Sequence, residues 1–260
     1  MIEIGINPVA FTIGSVGVRW YGIMIALAVL TIILWMIRQH RKGANLTPDG
    51  MLNAALVAIP SGIIISRLLH VVDKWDYYIQ NPGQIISASG LTIYGAILGA
   101  ALGLWVASKF SNFKFGYFAD LMAPSIILAQ AVGRLGCTLN GCCYGLPTSL
   151  PWGVVYTHPN SFAPIGVAIH PTQIYEIIYN LIAFGVLLKL RGRFKPDGSL
   201  FLIYLVLYSI WRFSISFLRE ESPFLFGLPQ AQVVAIIVLA ITVPILAYRT
   251  RGVKAESDAE

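Results

Sequence analysis

Long apolar runs separated by short polar or basic segments repeat along the whole chain, at the lengths of bilayer-crossing helices. The first runs from about Trp20 to Ile37. It is entered through Arg19-Trp20-Tyr21, an interfacial anchor, and left through Arg38, His40, Arg41 and Lys42. Thr47-Pro48-Asp49 is a helix start signal and leads into the second run, roughly Met51 to Val72, which carries Pro60, Gly62 and an intramembrane Ser66-Arg67. A polar, aromatic loop over Asp73–Gly90 precedes the third run, about Leu91 to Ser108. There Gly95, Gly99 and Gly103 fall on one helical face, a pattern for close helix packing. The fourth run covers about Tyr117 to Val132. Residues 134–172, rich in Gly, Pro, Thr and Ser, form the longest segment that does not span and read as an extracytoplasmic cap. The fifth run extends from near Thr172-Gln173 to Leu190, the sixth from about Leu200 to Leu218, and the seventh from about Gln230 to Tyr248. Residues 1–18 read as a short surface or half-embedded lead-in, and 249–260 as a flexible polar tail. The pattern predicts an all-α integral membrane protein of about seven transmembrane helices, built as a single polytopic domain over 1–260.

Composition agrees with the pattern. Hydrophobic residues make up 57% and charged residues 12%, and the mean hydropathy is +0.72, values of a membrane protein and not of a soluble one. The net charge of +6 does not gather into a basic face, which excludes a nucleic-acid partner. The charges instead encode topology. Loops on the side of Arg38–Lys42, Lys109–Lys114, Lys189–Lys195 and the tail hold twelve of the 18 Lys and Arg. By the positive-inside rule that side is cytoplasmic, so the N-terminus is expected outside and the C-terminus inside. No cleavable signal peptide is expected, because the first apolar run follows a polar, proline-containing leader and is too long for a signal segment. Three cysteines cannot all pair within one chain, so no disulfide framework is implied.

The remaining six cations lie on the outer side, and several sit in or near spans. Arg67, Arg134 and Arg212 all fall towards the outer ends of spans. Each alone can pair with a carboxylate or snorkel to headgroups. Three at one depth point to an anion, and arginine's planar fork suits phosphate. Arg134 belongs to a glycine-rich stretch, Gly133–Gly145, that also holds Cys137, Cys142 and Cys143. Tyr208, Arg212, Ser216 and Arg219 share one helical face by spacing. At the start of the fifth run, His170-Pro171-Thr172-Gln173-Ile174-Tyr175-Glu176 crowds imidazole, amide, phenol and carboxylate together. Thr172 reads as an N-cap there, and Glu176 as pointing into the bundle or at an arginine.

Taken in order, these fragments resemble the prolipoprotein diacylglyceryl transferases of bacterial inner membranes. The likeness covers nearly the whole chain: Arg19-Trp20-Tyr21-Gly22, Arg67, Tyr94-Gly95, Asp120 with Pro124, and Gly133-Arg134-Leu135-Gly136 with Asn140-Gly141. It continues through His170–Glu176 and Tyr208 with Arg212. The resemblance implies transfer of diacylglycerol from phosphatidylglycerol to the lipobox cysteine thiol of a preprolipoprotein, with glycerol phosphate released, in a lipid bilayer and without a cofactor or metal. By their match to family positions, Arg134 and Arg212 would clamp the phosphate. Tyr21, Asn140, Gln173 and Tyr208 would orient the headgroup, and Arg67, Gly141, His170 and Glu176 would complete the substrate site.

Departures from the family pattern also matter. Tyr94 stands where family members carry a histidine, a candidate base. Cys137 and Cys142 replace polar signature residues, and Ser216 replaces an acid four positions after Arg212, which predicts a more positive site. The cysteines are open to four readings: a disulfide from Cys137 to Cys142 or Cys143, small buried residues, a metal site that would have to recruit His158 or His170, or a covalent role in which a cysteine takes the lipid first. Two other functions stay open at this stage, a related transferase with another acceptor and a non-enzymatic lipid- or anion-binding membrane protein or transporter.

Overall fold

A computed structural model describes residues 1–257 apart from 15, 46, 86–92 and 111–112. Among these residues there are eight α-helices: α1 (Trp20–Arg41), α2 (Pro48–Asp73), α3 (Trp75–Gln80), α4 (Ile93–Phe110), α5 (Phe115–Asn140), α6 (Thr172–Leu190), α7 (Ser199–Ser216) and α8 (Gln230–Ser257). Six are long and apolar enough to cross a membrane, and a shorter apolar helix covers Gly95–Phe110. Their flanks leave large apolar side chains uncovered, among them Ile25, Val29 and Leu34 on α1 and Ile59, Ile63 and Ile64 on α2. Such stripes are costly in water and at home in hydrocarbon, where the helix also satisfies its own backbone. The chain is therefore a multi-pass membrane protein.

Two helices run further than the apolar pattern suggested. α5 continues through the signature to Asn140, so residues 134–140 are the end of a helix and not loop. Gly133 and Gly136 did not stop it, because packing rather than propensity decides there: a side chain at Gly136 would meet Met24 Cβ at 2.8 Å. α8 likewise continues to Ser257.

Among the described residues seven short strands accompany the helices. They are β1 (Ile2–Ile4), β2 (Val9–Ile13), β3 (Val16–Arg19), β4 (Val154–Tyr156), β5 (Ala168–Ile169), β6 (Pro223–Leu225) and β7 (Leu228–Pro229). The lead-in is therefore β-structure: β2 and β3 form an antiparallel pair, rich in β-branched residues. β1 pairs in parallel with β4, and β4 pairs antiparallel with β5.

The chain divides into two compact units, Arg38–Phe118 and Met1–Ile37 with Ala119–Glu260. In the first, the Thr47 side chain caps α2 by accepting from the Gly50 amide at 3.1 Å. The glycine face of α4 lies directly on α2. A Cβ on Gly99 would collide with the Ser61 carbonyl, and one on Gly103 would lie 2.9 Å from the Val57 carbonyl oxygen. A Gly99→Leu variant is therefore expected to force the two helices apart and to expose this unit to limited proteolysis in detergent. Wild-type protease resistance in that variant would show that the close approach is dispensable.

In the second unit, α5, α6 and α7 share a core of Ala123, Ile127, Ala183, Leu187, Leu200 and Tyr204. Trp35 of α1 joins it by donating its indole N–H to the Leu121 carbonyl at 3.0 Å and meeting Phe184 edge-on. Asp120 of α5 accepts from the Gly198 and Phe201 amides at 2.7 and 2.8 Å, so a carboxylate from another helix caps the start of α7. Asp120→Ala removes that cap and should lower stability by about 1–2 kcal/mol, read from thermal unfolding in detergent.

Candidate active site

The second unit brings the charged residues of four segments into one network. Arg134, on the last turns of α5, reaches Glu176 Oε1 with Nη2 at 2.8 Å. Glu176, one turn into α6, meets Arg219 Nη2 with its other oxygen, also at 2.8 Å. Arg219 Nη1 lies 4.0 Å from Glu221, and Glu221 pairs with Arg212 Nη2 of α7 at 2.5 Å. Cations and carboxylates thus alternate, Arg134–Glu176–Arg219–Glu221–Arg212, and three arginines against two glutamates leave one net positive charge.

Burial makes that surplus consequential. The Glu176 side chain is 1% exposed and that of Arg219 4%, so their charges interact in a low effective dielectric. Burial, the largest influence on Arg219, pushes its guanidinium below the usual arginine range; the like charge of Arg134 adds to this and Glu176 opposes it. Arg212 Nη1 and Arg219 Nε are buried donors with no hydrogen-bond partner among the described residues. Unmade bonds of buried charged donors are costly, and an anionic oxygen is the group that would satisfy them.

The loop after α5 is pinned to this network. Gly141 has φ of 72°, and a Cβ there would collide with the Ser161 hydroxyl, so only glycine fits. The Gln173 side-chain amide donates to the Cys142 carbonyl at 2.9 Å, and the Thr172 hydroxyl donates to the Cys143 carbonyl at 2.8 Å. Pro171, not Thr172, is the cap residue of α6; the expected Thr172 cap gives way because its hydroxyl serves the loop carbonyl instead. The Gly145 amide donates to the His170 carbonyl at 3.1 Å, and the Leu146 amide to the Leu218 carbonyl at 2.8 Å. These bonds tie the signature loop to the start of α6 and to the turn after α7. Behind it, the Tyr156 hydroxyl donates to the Thr138 carbonyl at 2.8 Å, and burial pushes that phenol up.

The other residues singled out from the sequence fall as follows. Asn140 is buried and accepts from Arg19 Nη1 at 3.1 Å, while Arg19 also sits 4.7 Å above the Phe162 ring. Tyr21 lies on the first turn of α1, at 3.3 Å from where a Gly136 Cβ would stand. Tyr208 stacks at 6.2 Å on Tyr204. His170 Nδ1 is 3.5 Å from the Tyr175 hydroxyl, which accepts from Trp152 Nε1 at 2.8 Å. Arg67 belongs to the other unit, where it donates to the Ile85 carbonyl at 2.9 Å and to the Gln84 carbonyl and faces Tyr78. Tyr94 begins α4, but its side chain lies outside the described residues.

Three members were missed or misplaced. Glu221 lies in a loop with no periodicity to flag it, nine positions after Arg212. Its carboxylate supplies the acid that Ser216 lacks, and the Ser216 hydroxyl donates to it. The site is thus less positive than the sequence suggests. Arg219 was placed on the helix face, yet α7 ends at Ser216 and Arg219 sits on the following turn, bridged to Gly145. Arg19, an interfacial anchor and part of the family-like Arg19-Trp20-Tyr21-Gly22, has no site role in the sequence reading.

Beside Arg212, Trp211 stacks on Tyr179 with ring centroids 4.3 Å apart. These two, with Tyr175, Ile178 and Ile182, line an apolar groove of about 280 Å³ along α6 and α7.

A set of spanning helices with a buried arginine–glutamate network defines a membrane protein with a charged site of net positive charge. The comparisons with known proteins give that class its identity. Residues 8–248 match the family model described as prolipoprotein diacylglyceryl transferase. The chain is 51% identical over 254 residues to the phosphatidylglycerol–prolipoprotein diacylglyceryl transferase of Dehalococcoides mccartyi, covering 98% of both chains. It is 38% identical to the protein of that name from Clostridioides difficile, covering 89% of this chain and 90% of the relative. The one from Acaryochloris marina is also 38% identical, with 90% and 88% covered. The chain belongs to the prolipoprotein diacylglyceryl transferase family.

Proposed function

We propose that the protein transfers the diacylglyceryl group of phosphatidylglycerol to the lipobox cysteine of preprolipoproteins, at the outer leaflet of a bacterial cytoplasmic membrane. A thiolate attacks a glycerol carbon, the carbon–oxygen bond to phosphate breaks, and glycerol phosphate leaves with the electron pair. Catalysis of this kind needs the phosphate held and the charge growing on the leaving oxygen matched. The observation that supports it most is the alternating network with its unpartnered Arg212 Nη1. Arg134 and Arg212 hold the phosphate, and Arg219, buried against Glu176, adds fixed positive charge behind them. Tyr21, Tyr208 and His170 line the headgroup side. Asn140 and Gln173 shape the signature loop through the bonds described above, and Gly141 through its left-handed backbone. The stacked Trp211–Tyr179 groove suits an acyl chain next to the headgroup.

The twelve basic residues on the side of the tail support a cytoplasmic C-terminus and an outward-facing site. The test is transfer by the purified protein from phosphatidylglycerol to a lipobox peptide, with phosphatidylethanolamine as the control donor. A thioether-linked diacylglyceryl peptide formed only with phosphatidylglycerol is the expected product. Equal transfer from both lipids would contradict the donor, and none from either would contradict the activity.

A further inference from the structure

The transferase reading leaves one chemical feature unused, the three thiols of the signature. The Sγ atoms of Cys137, Cys142 and Cys143 all lie within 4.8 Å of one another, and none is in a disulfide. They come from different backbone settings. Cys137 is buried on the last turn of α5, Cys142 is half-buried, and Cys143 is exposed. Convergence requires the chain to double back. Gly141 at φ 72° and Cys143 at φ 62° accomplish this, the second being an uncommon backbone for a residue with a Cβ. Gln173 and Thr172, both buried, hold the carbonyls of Cys142 and Cys143, so the turn is a fixed scaffold.

We infer that the three sulfurs are a binding site for a thiophilic d¹⁰ cation, zinc in the first instance. Zinc–sulfur bonds of about 2.3 Å place sulfurs on one ion roughly 3.8 Å apart in tetrahedral geometry, and the three Sγ atoms, all within 4.8 Å of one another, exceed that spacing by about 1 Å at most. A disulfide would use two of the three sulfurs and strand the third, whereas a metal uses all of them. Three thiolates on one divalent ion carry a net charge of −1, and a cation already stands there. Arg134 Nη1 donates to Cys137 Sγ at 3.8 Å, the kind of outer contact that orients and neutralises thiolate ligands. Three protein ligands leave a fourth position open to solvent or another thiol. The histidines that a complete protein set would need are not required for this.

The full-length protein, purified in detergent with a phosphine reductant and stripped with chelator, is titrated with Zn²⁺ against a chromophoric competitor. Cd²⁺ serves as a second probe, for its ultraviolet thiolate band. One ion per chain is expected, with a band intensity of three thiolates. Cys137→Ser, Cys142→Ser and Cys143→Ser should each weaken binding by at least roughly a hundredfold, the upper end of what outer-shell changes alone cost. Cys143 is exposed, so its variant folds and keeps the test decisive. Zinc affinity equal to that of the triple-serine variant would overturn the site. So would a mass lighter by two hydrogens with a single titratable thiol in a parallel preparation made without reductant, since that is the disulfide.

Discussion

A Glu176→Ala variant is expected to lose about 3–5 kcal/mol of stability, the usual cost of removing one partner from a buried ion pair. The side chain is 1% exposed and its two oxygens stand 2.8 Å from two arginines, Arg134 and Arg219. Without it, Arg219 keeps among the described residues only the 4.0 Å approach to a carboxylate of Glu221, and two like charges face each other across the vacated space. A buried cation that has lost its counter-charge is more costly than the pair was favourable. The second change Arg219→Met should therefore recover much of the loss, because it removes the stranded charge along with its demand. Thermal unfolding of both single variants and the double variant in detergent measures these effects. A double variant as unstable as the sum of its parts would show that the two side chains are not coupled.

The largest effect on activity is expected at Arg212. Arg212→Ala should lower the rate of diacylglyceryl transfer by about 10²–10³, the range seen when one donor to a developing anion is removed. The residue is well placed for this role. Glu221 holds one arm of its guanidinium at 2.5 Å while the Nη1 arm is buried and unpartnered. Arg212→Lys keeps the charge but loses the planar fork, and a single ammonium cannot both hold Glu221 and meet a phosphate bidentately. It should fall between the wild type and alanine. Glu221→Gln gives the complementary case: it leaves Arg212 charged but loosely oriented, so substrate affinity should suffer more than the chemical step.

Much of the architecture is legible in the sequence. Continuous apolar runs bounded by basic clusters mark the helices, because a bilayer leaves the backbone no other way to satisfy itself. Thr47-Pro48 and the Gly95–Gly99–Gly103 face are equally plain, since capping and close packing leave fixed spacings. The end of α5 is not legible. The apolar run ends near Val132, and the helix continues past it with Gly136 packed closely on Met24 and Tyr21 of α1. The arginines stand out as charges in apolar surroundings, but their partners do not. Glu221 and Arg219 lie in the turn after α7, where no period relates them to Glu176 forty-odd positions earlier. The convergence of the three thiols depends on two left-handed backbone positions, which no residue pattern announces.

The central claim is that the alternating network holds the phosphate of the lipid donor. Its most direct test is the yield of diacylglyceryl-modified lipobox peptide from phosphatidylglycerol, measured by mass for wild type, Arg134→Ala and Arg212→Ala in matched, folded preparations. The account predicts a modified peptide with the wild type and a loss of about a hundredfold or more with either variant. Transfer by both variants within about threefold of wild type, a difference too small for a lost phosphate contact, would contradict it.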